Sequence, residues 1–282
     1  MLFLTLFSVT RPVVTPIPPR IRFRLASAAG MVALATGIVA PLPALAAQFV
    51  TDYTISYSGL PVARSTFIST VDGNALKVEG SLQSAGLGAL FSSTSGSASL
   101  SGRISGNRIE SERYEMRYTS GKKSSVTRIA FSGGNVTESW FDPPSKPRAD
   151  RVAVKPNQLK GVVDPLMAGI VAASSAGRVC NRTIQFFDGE LRGDLVLRSA
   201  GSEKFSARGY KGDAIRCAVK FKPVSGYRTS NKSIAYMSKG ERAIISFAPI
   251  AGTQLYAPVK VQVTTSVGTV TVRATRFEQT GS

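Results

Sequence analysis

From Gln48 onward, apolar and polar residues alternate in short runs broken by Gly, Pro, Asn and Asp. Tyr53, Ile55 and Tyr57 stand at every second position, and the runs LPVARSTFISTV, ALKVEGSLQ and RIESERYEMRYTSG keep the same period. A period of two sends one side of a strand into a core and the other into water. Residues 183–187, 194–197 and 214–221 read as further strands, the first two joined by the turn-like DGELRG. A hairpin is predicted around Ser132-Gly133-Gly134-Asn135, and the clearest one around Ser266-Val267-Gly268. In the latter, Val259, Val261 and Val263 share a face and Val270 and Val272 answer them.

Two stretches depart from this period. Leu87, Leu90 and Phe91 have the i, i+3, i+4 spacing of a short helix, followed by a Ser/Gly tract; this reads as a lid or as a helix plugging the end of a sheet. Asp164-Pro165 is a helix start, because Asp accepts from first-turn N–H groups and Pro sits where its missing N–H costs nothing. A short helix is expected over 164–175, with Leu166, Met167, Ile170 and Val171 on one stripe and Gly177 as a left-handed terminator. A further helical turn is expected at 233–239, and a proline-rich loop runs from Pro143 to Pro156. Trp140, the single tryptophan, precedes that loop and suits either a core position or a grip on a ligand or membrane face.

Roughly a dozen short strands and two or three short helices make the fold class mainly β: a strongly curved antiparallel sheet, a β-spiral or half-barrel, with the 164–175 helix packed on its concave face. No repeat or composition break divides residues 47–282, which read as one domain. A curved sheet of this size is either filled by its own side chains or encloses a hydrophobic ligand. If it encloses one, Leu87, Leu90 and Phe91 are the candidates for the mouth and Leu166, Met167 and Ile170 for one wall. The same stripe also suits plain core.

Residues 1–46 read as a signal peptide, over-long for its kind: Arg20, Arg22 and Arg24 precede an apolar run over 25–39 and the A-x-A sequence Ala44-Leu45-Ala46. The competing reading, a membrane anchor, suffers from a run short for a bilayer and from Pro41 and Pro43 after it. Cleavage near Ala46 makes the protein periplasmic, and the absence of cysteine at that site argues against a lipoprotein. The leader holds four arginines and no acids, so the +18 of the whole chain falls to +14. Such a field attracts anionic lipid headgroups, lipopolysaccharide phosphates or acidic polysaccharide, and export argues against nucleic acid. The basic residues are spread along the chain, a distribution that also serves solubility alone.

The chain contains no histidine. Ser-His-Asp and Cys-His centres are excluded, as is the usual general base near neutral pH, and zinc or copper sites lose their commonest ligand. Two cysteines in an exported chain read as one disulfide, Cys180–Cys217. The bond would constrain the unfolded chain by roughly 4 kcal/mol; the redox alternative lacks a C-x-x-C arrangement. Paired acids remain for glycoside chemistry, Glu110 with Glu112 or Asp188 with Glu190, although a spacing of two on a strand usually marks a solvated face. No phosphate-binding glycine loop is present and no cofactor is implied.

Tyr53 to Val62 (YTISYSGLPV), Val163-Asp164-Pro165-Leu166, Cys180 with Phe187-Asp188-Gly189, Cys217 with Pro223 and Gly226-Tyr227, and Leu255-Tyr256-Ala257-Pro258-Val259 together resemble the exported bacterial family of domain of unknown function 3108. The order of these motifs spans nearly the whole exported chain. The sequence is also similar to disulfide-containing β-spiral envelope proteins and, more distantly, to periplasmic lipoprotein carriers whose curved sheet wraps a helix and holds acyl chains. The family has no established activity, and the resemblance carries over no functional residue beyond the cysteine pair; the missing histidine points to a non-catalytic protein. Two functions follow as expectations: binding of a lipid or lipidated protein in support of envelope integrity, or a structural module that docks an envelope protein or peptidoglycan through a basic face.

Overall fold

The computed structural model describes residues 47–86, 88–89 and 93–280. The expected signal peptide, and Leu87, Leu90 and Phe91 with it, lie outside the described residues.

The first seven strands are β1 (Ala47–Tyr57), β2 (Leu60–Asp72), β3 (Ala75–Ser84), β4 (Thr94–Ser105), β5 (Arg108–Ser120), β6 (Lys123–Ser132) and β7 (Asn135–Asp142). After a long crossing come the two-residue β8 (Val171–Ala172), then β9 (Arg182–Phe187), β10 (Arg192–Ala207), β11 (Tyr210–Ser225), β12 (Glu241–Pro249), β13 (Leu255–Thr265) and β14 (Gly268–Thr280). All belong to one sheet in the order β7-β6-β5-β4-β3-β2-β1-β14-β13-β12-β11-β10-β9, and β8 pairs with β13. The fold is mainly β and the pairs between neighbouring strands are antiparallel. The chain thus meanders out to β7, crosses to β9 and meanders back, so that its first and last strands meet in the middle.

The sheet is not closed by strand pairing, yet its ends are drawn together. The crossing segment joins them: Val162 N donates to Gly134 O beside β7 (3.0 Å), Val163 N donates to Gln185 O of β9 (2.9 Å), and Phe187 N of β9 donates to Val163 O (2.9 Å). A second curl forms where β13 leaves β14. The vacated edge of β14 is taken by the tip of the β10–β11 hairpin, with Arg208 N donating to Thr275 O and Phe277 N to Arg208 O. Bulges at Asp52/Tyr53, Ser199/Ser202 and Ser246/Phe247 supply the bends this curvature needs.

The expected 164–175 helix is corrected. Met167–Gly169 makes one 3-10 turn and the chain then extends into β8. The start signal itself is real: Asp164 Oδ1 accepts from Leu166 N and Met167 N, both at 2.9 Å. The turn goes no further because Ile170 is already extended and the segment satisfies its backbone by pairing with β13. Gly177 is not left-handed; it sits within a second 3-10 turn, Ala176–Arg178. The α-helix that does lie on the sheet is α1 (Lys232–Ser238), at the place where a helical turn is expected. Asn231 caps it by accepting from Ser233 N and Ile234 N.

One core spans the inner faces of both halves, uniting Leu76, Leu100, Tyr114 and Ile129 with Val259, Val261, Val272 and Phe277. Met167 belongs to it, and Leu166 and Ile170 pack against it. Gly102 leaves the room: a β carbon there would fall 2.5 Å from the Met167 Cε.

Candidate binding cavity

On the inner face of β10–β14 the registered pairs build apolar rows. Val219 faces Ala243, Ala243 faces Val263 and Val263 faces Val270, while Ile245 faces Val261 and Leu195 faces Phe221. α1 lies across β11, β12 and β13 and turns Ile234 and Met237 toward these rows. One short helix does not fill the span, and Ala243 is small at the centre. A cavity of about 450 Å³ remains, its lining dominated by apolar surface. That volume lies within the usual range of small-molecule sites.

The mouth is polar and braced. Segment 150–152 pairs with 226–229: Val152 N donates to Tyr227 O (2.9 Å), Gly226 N to Val152 O (2.7 Å) and Thr229 N to Asp150 O (2.8 Å). Arg151 Nη1 donates to Glu190 Oε1 (2.8 Å), and Arg228 Nε donates to both Asp150 oxygens (3.1 Å). The Ser230 hydroxyl, which donates to the same carboxyl, and then these Arg228 bonds hold Asp150 down at about 2. Asp188 Oδ1 accepts from Glu190 N (3.0 Å) and Leu191 N (2.7 Å), while burial raises its pKa. Gly226 has φ +80°, and a β carbon on it would run into the Glu190 carbonyl, so the mouth requires glycine there.

Leu166, Met167 and Ile170, the expected wall residues, do not line this cavity; they belong to the neighbouring core. The liners on β11–β14 follow from the period of two, but in α1 Ile234 and Met237 are separated by Ala235 and Tyr236 and flanked by serines, too faint a stripe to announce a lid.

The disulfide forms as expected between Cys180 and Cys217. It ties the crossing segment to β11 in a pocket of Val171, Val179, Leu197 and Phe247. Arg192, 4% exposed, anchors the same crossing through Nε, which donates to Gln158 O (3.0 Å), while its Nη1 donates to Asp194 Oδ1 (2.5 Å) within β10. Of the acid pairs, Glu112 accepts from Arg103 Nε (2.6 Å), and Asp188 and Glu190 are spent on the mouth. Among the described residues no group of three His, Cys, Asp or Glu could hold a metal ion.

Trp140 is not core. It is 41% exposed on the opposite face of the first half, with the Arg128 guanidinium 4.7 Å from its ring centre. A broad open groove there is lined by charges of both signs, including Lys77, Glu79, Arg113 and Glu138. Among the described residues no helix is long and apolar enough to cross a membrane.

A beta-barrel-like protein of domain of unknown function DUF1849 from Brucella abortus is similar in structure, with a TM-score of 0.42, 7% identity and coverage of 84% of this chain and 99% of its own. No curated protein matches the chain. The family model described as protein of unknown function DUF3108 matches residues 52–275, nearly the whole sheet, and the chain belongs to that family.

Proposed function

We propose that this protein is an exported, non-catalytic carrier that holds a hydrophobic or amphipathic component of the cell envelope, a lipid or a lipidated protein, beneath α1 and so supports envelope integrity. The observation that carries this reading is the apolar cavity of about 450 Å³ between α1 and β10–β14. A space of that size left unfilled sacrifices packing that a well-filled core would have, and an apolar occupant restores it. The arginine-rich leader with its A-x-A sequence supports export to the periplasm, and the remaining charge of +14 supports residence near anionic surfaces.

Titration of the purified protein with an apolar fluorophore such as N-phenyl-1-naphthylamine tests the reading. Saturable enhancement reversed by a single-chain lipid is expected, and Ile245→Trp, which fills the cavity, abolishes it. Absence of saturable binding in a folded protein, or equal binding by the filled variant, overturns it. The second reading, a module that docks a glycan or protein, draws on exposed Trp140 and the charged groove beside it. Binding of peptidoglycan fragments lost on Trp140→Ala would favour it.

A further inference from the structure

We infer that the occupant of the cavity is a single-chain amphiphile with an acidic head, and that Arg151 receives the head. This rests on the carrier reading and adds the ligand class to it.

The mouth carries an unused donor. Arg151 lines the cavity and its Nη1 is engaged by Glu190, but its Nε is buried and has no hydrogen-bond partner. A buried N–H without an acceptor is uncommon in folded proteins and calls for a partner. Arg151 and Arg228 are partners in a β-bridge, so two guanidinium-bearing positions sit side by side at this opening. Arg228 is braced by Asp150 and Ser230, and Arg151 keeps its Nε unpaired beside its contact with Glu190. The guanidinium fork suits a carboxylate or a phosphate, which accepts several N–H bonds at once.

The rest of the site sorts the ligand by shape. Beyond the mouth the walls are Leu195, Phe221, Ile245, Val263 and Met237, which offer contact area and no hydrogen bond. A bulky headgroup finds no partners there, whereas an alkyl chain does. Glu190 shares Arg151 with the incoming head, so the head must compete with a carboxylate already present; an acid does this better than a neutral alcohol. Asp188 lines the same opening, where its Oδ1 is held by the backbone N–H groups of Glu190 and Leu191.

Isothermal titration of the delipidated protein with hexadecanoate, hexadecyl phosphate, hexadecanol and hexadecyltrimethylammonium, all below their aggregation limits, tests the inference. Either acid should bind about tenfold or more tightly than the alcohol, the gain of one charged hydrogen bond, and the cation should bind weakest. Whichever acid binds better identifies the head as carboxylate or phosphate. Arg151→Gln should bring the acids down to the level of the alcohol measured on the same variant; Arg151→Lys, which keeps the charge but not the Nε donor, should restore only part. Equal binding of all heads, lost in Ile245→Trp, overturns the acidic-head assignment and leaves the carrier standing. A preference for acids that survives Arg151→Gln overturns the role of Arg151. Binding of none of the four, with an unchanged melting curve, overturns both readings together.

Discussion

Ser111 and Asp164 are locked to each other across the interior: the Ser111 hydroxyl donates to Asp164 Oδ2 at 2.6 Å and accepts from the Asp164 backbone N–H at 3.0 Å. Asp164 is completely buried, and it also holds the first turn of the crossing segment through Leu166 N and Met167 N. One carboxylate therefore fastens the connection between the two halves of the sheet onto β5. Without Ser111, a buried carboxylate oxygen and a backbone N–H lose their partner, and Ser111→Ala should cost about 1–3 kcal/mol in chemical denaturation.

The burial of Asp164 has a pH signature. Burial raises its carboxyl from 3.8 to about 6. The folded state then binds the proton more tightly than the unfolded chain, so this stabilisation is complete below pH about 4 and is lost as pH rises through about 6. Asp164→Asn keeps an acceptor for Leu166 and Met167 but does not titrate. The stability of the wild type relative to this variant should fall by about 3 kcal/mol between pH 4 and pH 7. Asp188 has the same sign but is present in both proteins and cancels. Parallel stability curves across that range would refute the assignment.

Gly226 at the cavity mouth and Gly201 within β10 make a matched comparison. Both are left-handed, with φ of +80° and +83°, but only Gly226 faces another backbone, the Glu190 carbonyl, while nothing lies near Gly201. Gly201→Ala should cost about 1 kcal/mol for the backbone conformation alone. Gly226→Ala should cost about 2–3 kcal/mol and weaken fluorophore binding as well, because the Glu190 turn must shift. Urea midpoints for the two variants measure the difference.

The disulfide joins residues separated by 37 positions and closes over the segment that carries β9, β10 and the first half of β11. Replacing both cysteines by alanine should lower stability by about 4 kcal/mol. Reductant should destabilise the wild type and leave the double variant unaffected in thermal melts; equal sensitivity would place the effect elsewhere.

How much of this was legible in the sequence depends on the interaction concerned. The alternation at Val259, Val261 and Val263 predicts the β13–β14 hairpin because a strand pattern and a Ser-Val-Gly turn agree locally. The pairing of β1 with β14 is invisible to any local signal, since it joins residues such as Tyr53 and Ala274 across the whole chain. Leu166, Met167, Ile170 and Val171 mislead for a physical reason. Their spacing suits a helical stripe, but a tight turn followed by a strand buried on both sides shows the same run of apolar residues. Asp164 was readable as a cap because capping is local; that its carboxylate also reaches Ser111, far away on β5, is not. The cavity escapes a sequence reading because it is defined by volume left over between α1 and the sheet, and no residue type encodes a volume left empty.

The central claim, that the space beneath α1 holds a single-chain amphiphile, is tested most directly by native mass spectrometry of the protein purified without detergent, beside its Ile245→Trp variant. The account predicts an added mass of single-chain lipid size on the wild type, released by organic solvent, and a bare variant of the same fold. A bare wild type that also takes up no added hexadecanoate or hexadecyl phosphate, or an identical adduct on both proteins, would contradict it.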